Sequence, residues 1–123
     1  MDFLDMTFEA GGDLSAKQYF FVKLDSDQQV ILATGATDKV LGILQNKPES
    51  GEAAVVRLLG RSKVSADASL AIADLIGTSA DGQADVKLPG TDTTEYVKGI
   101  VVKAVSNAAE IAEVILLPFT RGA

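Results

Sequence analysis

The apolar residues of this chain come in short runs. Each run is cut off by glycine, proline or clustered Asp, Asn and Ser before a long helix can form. Tyr19-Phe-Phe-Val-Lys-Leu24 is rich in aromatic and β-branched residues, Asp25-Ser-Asp-Gln28 turns the chain, and Gln29-Val-Ile-Leu32 returns as the second arm of a hairpin. Gly35-Ala-Thr-Asp38 breaks the chain before Val40-Leu-Gly-Ile-Leu-Gln45, and Asn46-Lys-Pro-Glu-Ser-Gly51 reads as a loop. Ala53-Ala-Val-Val-Arg-Leu-Leu59 and Arg61-Ser-Lys-Val64 are the next pairable runs, with Gly60 between them as a bulge or bend. Asp81-Gly82 suits a hairpin turn because both residues tolerate positive φ, and Ala84-Asp-Val-Lys-Leu88 alternates like a half-buried strand.

After the polar loop Pro89-Gly-Thr-Asp-Thr-Thr94, two strong strands close the chain: Tyr96-Val-Lys-Gly-Ile-Val-Val-Lys-Ala-Val105, and Glu113-Val-Ile-Leu-Leu117 ended by Pro118. Residues 65–76 stay open between helix and loop. Ser65 or Asp67 can serve as an N-cap with Ala66, Leu70 and Ala73 at helical spacing, whereas a loop would deliver Asp74-Leu-Ile-Gly77 as a strand. Ser106-Asn-Ala-Ala-Glu-Ile-Ala112 is a connector with room for one helical turn. The expectation is about eight to ten short strands with turns every 8–12 residues, the spacing of a sandwich or barrel. The expected fold is all-β: a small antiparallel β-barrel or sandwich over residues 13–123, with one or two short helical turns and an extended N-terminal arm over residues 1–12.

The arm carries Phe3, Leu4, Met6 and Phe8 among Asp2, Asp5, Thr7 and Glu9, and Gly11-Gly12 follows as a joint. Its first residues lack the basic region of a secretory signal. A first strand of the same domain is the equal alternative. Burying all four apolar side chains would give at most roughly 6–12 kcal/mol. Fixing about a dozen backbone residues costs on the order of 12 kcal/mol. The segment therefore orders only if its backbone also pairs, with its own sheet or a neighbour's. Extended, it reaches about 40 Å, enough to clasp another subunit or surface.

Composition narrows the chemistry. The 123 residues contain no Cys, His or Trp, which removes thiolate and imidazole ligands, Ser-His triads and most metal sites. Seventeen acidic and eleven basic residues give a net charge of -6, the wrong sign for a phosphate-backbone binder. No apolar run approaches the length of a membrane-spanning helix. The expectation is a non-enzymatic structural or binding protein without metal, cofactor, nucleic-acid or membrane partners. The D-x-D of Asp25 and Asp27 lacks the further oxygen ligands of a calcium loop and reads as a turn. Glu49/Glu52 and Glu110/Glu113 are the carboxylate pairs a hydrolase would need, but their loop-edge placement suits solvent. Arg57, Arg61 and Lys63 form a basic cluster, read either as a polar edge that deters aggregation or as a contact for an acidic partner.

Several runs in order resemble the capsid decoration, or cement, proteins of tailed phages. They are Gly12-Asp-Leu-Ser-Ala-Lys-Gln-Tyr-Phe-Phe-Val-Lys23, Thr37-Asp-Lys-Val-Leu-Gly-Ile-Leu-Gln45, Pro48-Glu-Ser-Gly-Glu-Ala-Ala-Val-Val-Arg-Leu-Leu-Gly60, Ile76-Gly-Thr-Ser-Ala-Asp-Gly-Gln83 and Lys103-Ala-Val-Ser-Asn-Ala-Ala-Glu-Ile-Ala-Glu-Val-Ile-Leu-Leu-Pro118. The likeness spans roughly residues 12–118, and the order of the motifs carries it. Ala73 and Ala109 depart from it, standing where the family pattern tends to have Gly. The resemblance implies an antiparallel β-barrel or sandwich, often a homotrimer. Such a protein is made in the bacterial cytoplasm and binds the major capsid protein on the outside of an icosahedral head. It implies no catalytic residues. Phe3, Leu4, Met6 and Phe8 are then the expected capsid or subunit interface. A head-fibre or tail-tube subunit and a small-ligand β-barrel are the alternatives.

Overall fold

Two-residue alternation of apolar and polar side chains produces strands, and nine are present in the computed structural model, which describes residues 3–88, 91 and 95–121. They are β1 (Phe3–Glu9), β2 (Phe21–Leu24), β3 (Val30–Leu32), β4 (Gly42–Leu44), β5 (Ala53–Ser65), β6 (Leu75–Thr78), β7 (Ala84–Val86), β8 (Tyr96–Lys103) and β9 (Ile111–Arg121). All belong to one sheet in the order β3-β2-β4-β5-β9-β8-β6-β7, with β1 added against β5. Every strand pairing is antiparallel. The sheet curls into a half-barrel whose two ends approach each other. Phe21 N–H donates to the carbonyl of Gly82, in the β6–β7 turn, at 2.7 Å. Gly82, at φ +78°, lies so close to the β3 end that an added methyl would meet Leu32 at 2.6 Å.

β5 is the spine. Ala53 to Gly60 pair with β1, Arg57 and Val56 with β4, and Gly60 to Ser65 with β9. Gly60 bends this strand at φ +93° without ending it, so the two expected runs are one strand of 13 residues. Beside it, a Cβ on Gly42 would sit 2.0 Å from the Arg57 carbonyl, and only glycine lets β4 approach that closely. The core has two parts. Phe21, Ile43, Val64, Leu70, Ile76, Val101, Val114 and Leu116 build the larger one. Leu14, Val22, Val30, Leu44, Ala54 and Val56 build the smaller, with Phe8 packed against it.

Two local expectations change, and the open choice at residues 65–76 resolves to the loop that delivers β6. No helix occurs among the described residues. Ala66, Leu70 and Ala73, whose spacing suggested one in 65–76, instead donate their N–H groups across the sheet to the carbonyls of Glu110, Val105 and Val101. The connector expected over 106–112 is likewise a turn, closed by Glu110 accepting from the N–H groups of Ser106 and Asn107, and its last two residues open β9. Pro118 does not end the last strand but lies inside β9. There β8 advances from Val97 to Gly99 while β9 runs from Thr120 to Leu116, and this irregularity spares the missing N–H. The segment expected as a polar loop at Pro89-Gly-Thr-Asp-Thr-Thr94 falls outside the described residues except for Thr91, as do Met1 and Asp2 of the arm.

Lys87 and Lys98 are buried, and the partners of Lys87 show how a charge is held inside the fold. The Lys87 side chain is fully buried and pairs with Glu95, with Asp85 at 3.9 Å. Burial without partners would cost far more than a surface charge can tolerate, so these carboxylates are what keep the lysine there.

Candidate functional site

β1 runs antiparallel along the first half of β5, from Phe3 opposite Gly60 to Glu9 opposite Ala53. It pairs with no other strand among the described residues. At its far end Ala10 donates to the Glu52 carbonyl and Gly11 to that of Val30, both within 2.9 Å, which fastens the segment to the sheet. Backbone pairing was the condition for order, and here the partner is the chain's own sheet. The apolar side chains remain largely outside: Phe3, Leu4 and Met6 are 41, 45 and 50% exposed, and only Phe8 packs inward.

Phe3 meets the basic cluster. The Arg57 guanidinium carbon lies 3.7 Å from the centre of the Phe3 ring, a cation–π stack. Its Nε and Nη2 fork onto the Asp5 carboxylate at 2.7 and 3.0 Å, and Nη1 donates to the Arg61 carbonyl at 3.0 Å. Arg57 is thus a clasp between β1 and β5. Arg61 is mostly exposed and donates from Nε to Glu113 at 2.9 Å. Phe3, Arg57, Arg61, Ser62, Lys63 and Glu113 line one open cleft of about 290 Å³. Between the exposed Arg61 and Lys63, Ser62 is buried; its hydroxyl donates to the Lys63 carbonyl at 2.8 Å and accepts from Gln45 at 2.9 Å.

The structure therefore brings Phe3 of the arm together with Arg57, Arg61 and Lys63. Leu4 stands beside them, opposite the exposed Leu59; Met6 is farther along, opposite Val56. Asp5 and Glu113 escaped sequence reasoning as members of this site. Each pairs with an arginine 52 residues away, a contact that no local pattern announces. The other candidates are occupied structurally. Asp25 accepts from the N–H groups of Asp27 and Gln29 in the β2–β3 turn. Glu52 accepts from the N–H of Glu49 at 2.7 Å. No group of three or more acidic side chains placed to hold a metal ion occurs among the described residues. The surface so built can hold apolar and anionic groups side by side.

No family model matches this chain, and no curated protein does. A solved structure with a similar fold is the N base of the head fiber gp8.5 in bacteriophage phi29. The TM-score is 0.64 at 15% sequence identity, over 93% of this chain and 93% of that one. At that identity the likeness is one of fold.

Proposed function

We propose that this chain is a structural protein of a phage head, and more narrowly a decoration (cement) protein on the outer surface of the shell. The observation that carries the reading is the fold shared with a phage head-fibre base along nearly the full length of both chains. The ordered motifs over residues 12–118 that resemble cement proteins support the narrower form. In this role the protein does no catalysis and needs no cofactor. Its partners are the major capsid protein and copies of itself, as a homotrimer. Packaged DNA presses the shell outward, and a protein bridging adjacent capsomers opposes their separation. Each contact can be weak, because several copies engaging together raise avidity without new contact types.

The fold likeness favours a second reading equally, in which the chain is the base of a head fibre. A cryo-electron reconstruction of the head separates the two. A cement protein places its density flat across capsomer junctions, whereas a fibre base places it beneath a projecting stalk. A head map with no density of this fold would overturn both. Particles lacking a cement protein should also release DNA at lower temperature; release at equal temperature would contradict the cement reading.

A further inference from the structure

On the outward face of β5, β9 and β8, one carboxylate is surrounded by three cations. Glu113 stands in register with Lys63 on one side and Lys103 on the other. Its carboxylate turns diagonally to Arg61 at 2.9 Å, and Lys103 is 3.9 Å away. Lys63 has no carboxylate within 4.0 Å among the described residues, and its ammonium lies 5.9 Å above the Tyr19 ring. Arg61 commits Nε to Glu113, and its side chain is 59% exposed, so its Nη donors remain available to a ligand. Arg61 and Lys63 are two residues apart on one strand, so their side chains share a face about 7 Å apart. The local charge is positive on a chain whose net charge is -6.

The same face is apolar around that charge. Ile111 and Ile115 flank Glu113 at two-residue spacing on β9, and both are exposed. Arg61 is in register with Ile115. A ligand that matches this face needs an anionic group small enough to sit between Arg61 and Lys63, with aliphatic side chains on either side. A polyanion such as nucleic acid meets the negative field of the whole chain. We propose that Arg61 and Lys63 receive a carboxylate from an acidic, aliphatic segment of a protein partner, laid across β5 and β9. Arg57 does not share in this: its fork is spent on Asp5, and it positions the strand. Equating the partner with the phage shell rests on the function proposed above, whereas the carboxylate chemistry stands apart from it.

The test needs no virion. The full chain, labelled with ¹⁵N, is titrated with a capped tetrapeptide of alternating leucine and glutamate, with its leucine–glutamine counterpart, and with inorganic phosphate at matched ionic strength. The glutamate peptide should shift the amides of Arg61, Lys63 and Glu113, and the glutamine peptide should not. The double variant Arg61→Gln/Lys63→Gln should weaken that binding about fivefold to tenfold, as expected for two exposed charge contacts, while its dispersed spectrum reports the fold. Lys47→Gln, an exposed charge loss elsewhere, should leave it unchanged. Equal shifts with the glutamine peptide or with phosphate would overturn the proposal. So would the same shifts on concentrating the protein alone, which would give the face to a second copy. Peptide binding by a protein absent from heads would keep this inference and remove the shell as partner.

Discussion

β1 and β9 are both antiparallel neighbours of β5, yet they serve different ends. β9 turns Ala112, Val114 and Leu116 into the larger core, where each is essentially fully buried. β1 makes a comparable run of pairs but sends Phe3, Leu4 and Met6 outward and contributes one packed aromatic, Phe8. The same ladder thus supports a strand that builds the fold and a strand that decorates it. Backbone pairing sets position, while side-chain burial decides how much a strand stabilises. Exposed apolar groups held on an ordered strand lose little entropy when a partner covers them, which suits an interface.

Substitutions sharpen this contrast. The largest loss is expected on the buried side: Glu95→Ala takes the close carboxylate from the fully buried Lys87 ammonium and should cost about 3–5 kcal/mol in denaturant unfolding. Leu116→Ala in β9 should cost about 2–5 kcal/mol by leaving a cavity. Arg57→Lys keeps the charge but loses the fork to Asp5 and much of the stack on Phe3. We expect a loss of about 1 kcal/mol, read as faster amide exchange in β1 than in β9. Ala73→Gly and Ala109→Gly should each stabilise by roughly 0.5–1 kcal/mol, because both alanines sit at positive φ, +69° and +66°. Met6→Ala should move stability by no more than about 0.5 kcal/mol. A Met6 effect as large as that of Leu116 would erase the distinction between the two strands.

Much of the fold was legible because it is written locally. The Asp25 turn, the Asp81-Gly82 hairpin and the bend at Gly60 are short-range chemistry, and each is where the residue pattern put it. The segment 65–76 is ambiguous for a physical reason: residues three and four apart can be a helical stripe or successive anchor points across a curled sheet, and the structure takes the loop that delivers β6. Here Leu70 exchanges backbone hydrogen bonds with Val105, far along the chain. Ala73 and Ala109, the two departures from the cement-protein resemblance, are both left-handed in the structure, a conformation that glycine adopts more readily. The cleft was half legible. Its basic residues are neighbours in sequence, whereas Asp5 and Glu113 reach their arginines only through the register of β1 and β9 on β5.

If the protein decorates a shell as proposed, the exposed Phe3, Leu4 and Met6 of β1 are expected to meet that shell. The direct measurement is occupancy on heads stripped of the protein, comparing the native chain with the triple variant Phe3→Ser/Leu4→Ser/Met6→Ser. These side chains are half exposed, so the variant should still fold, with its melting temperature lowered mainly by loss of the Phe3 stack on Arg57. Its occupancy should fall at least about tenfold, the loss of roughly 1.4 kcal/mol or more of apolar contact. A variant that folds and fills the heads as completely as the native chain would rule out β1 as the contact.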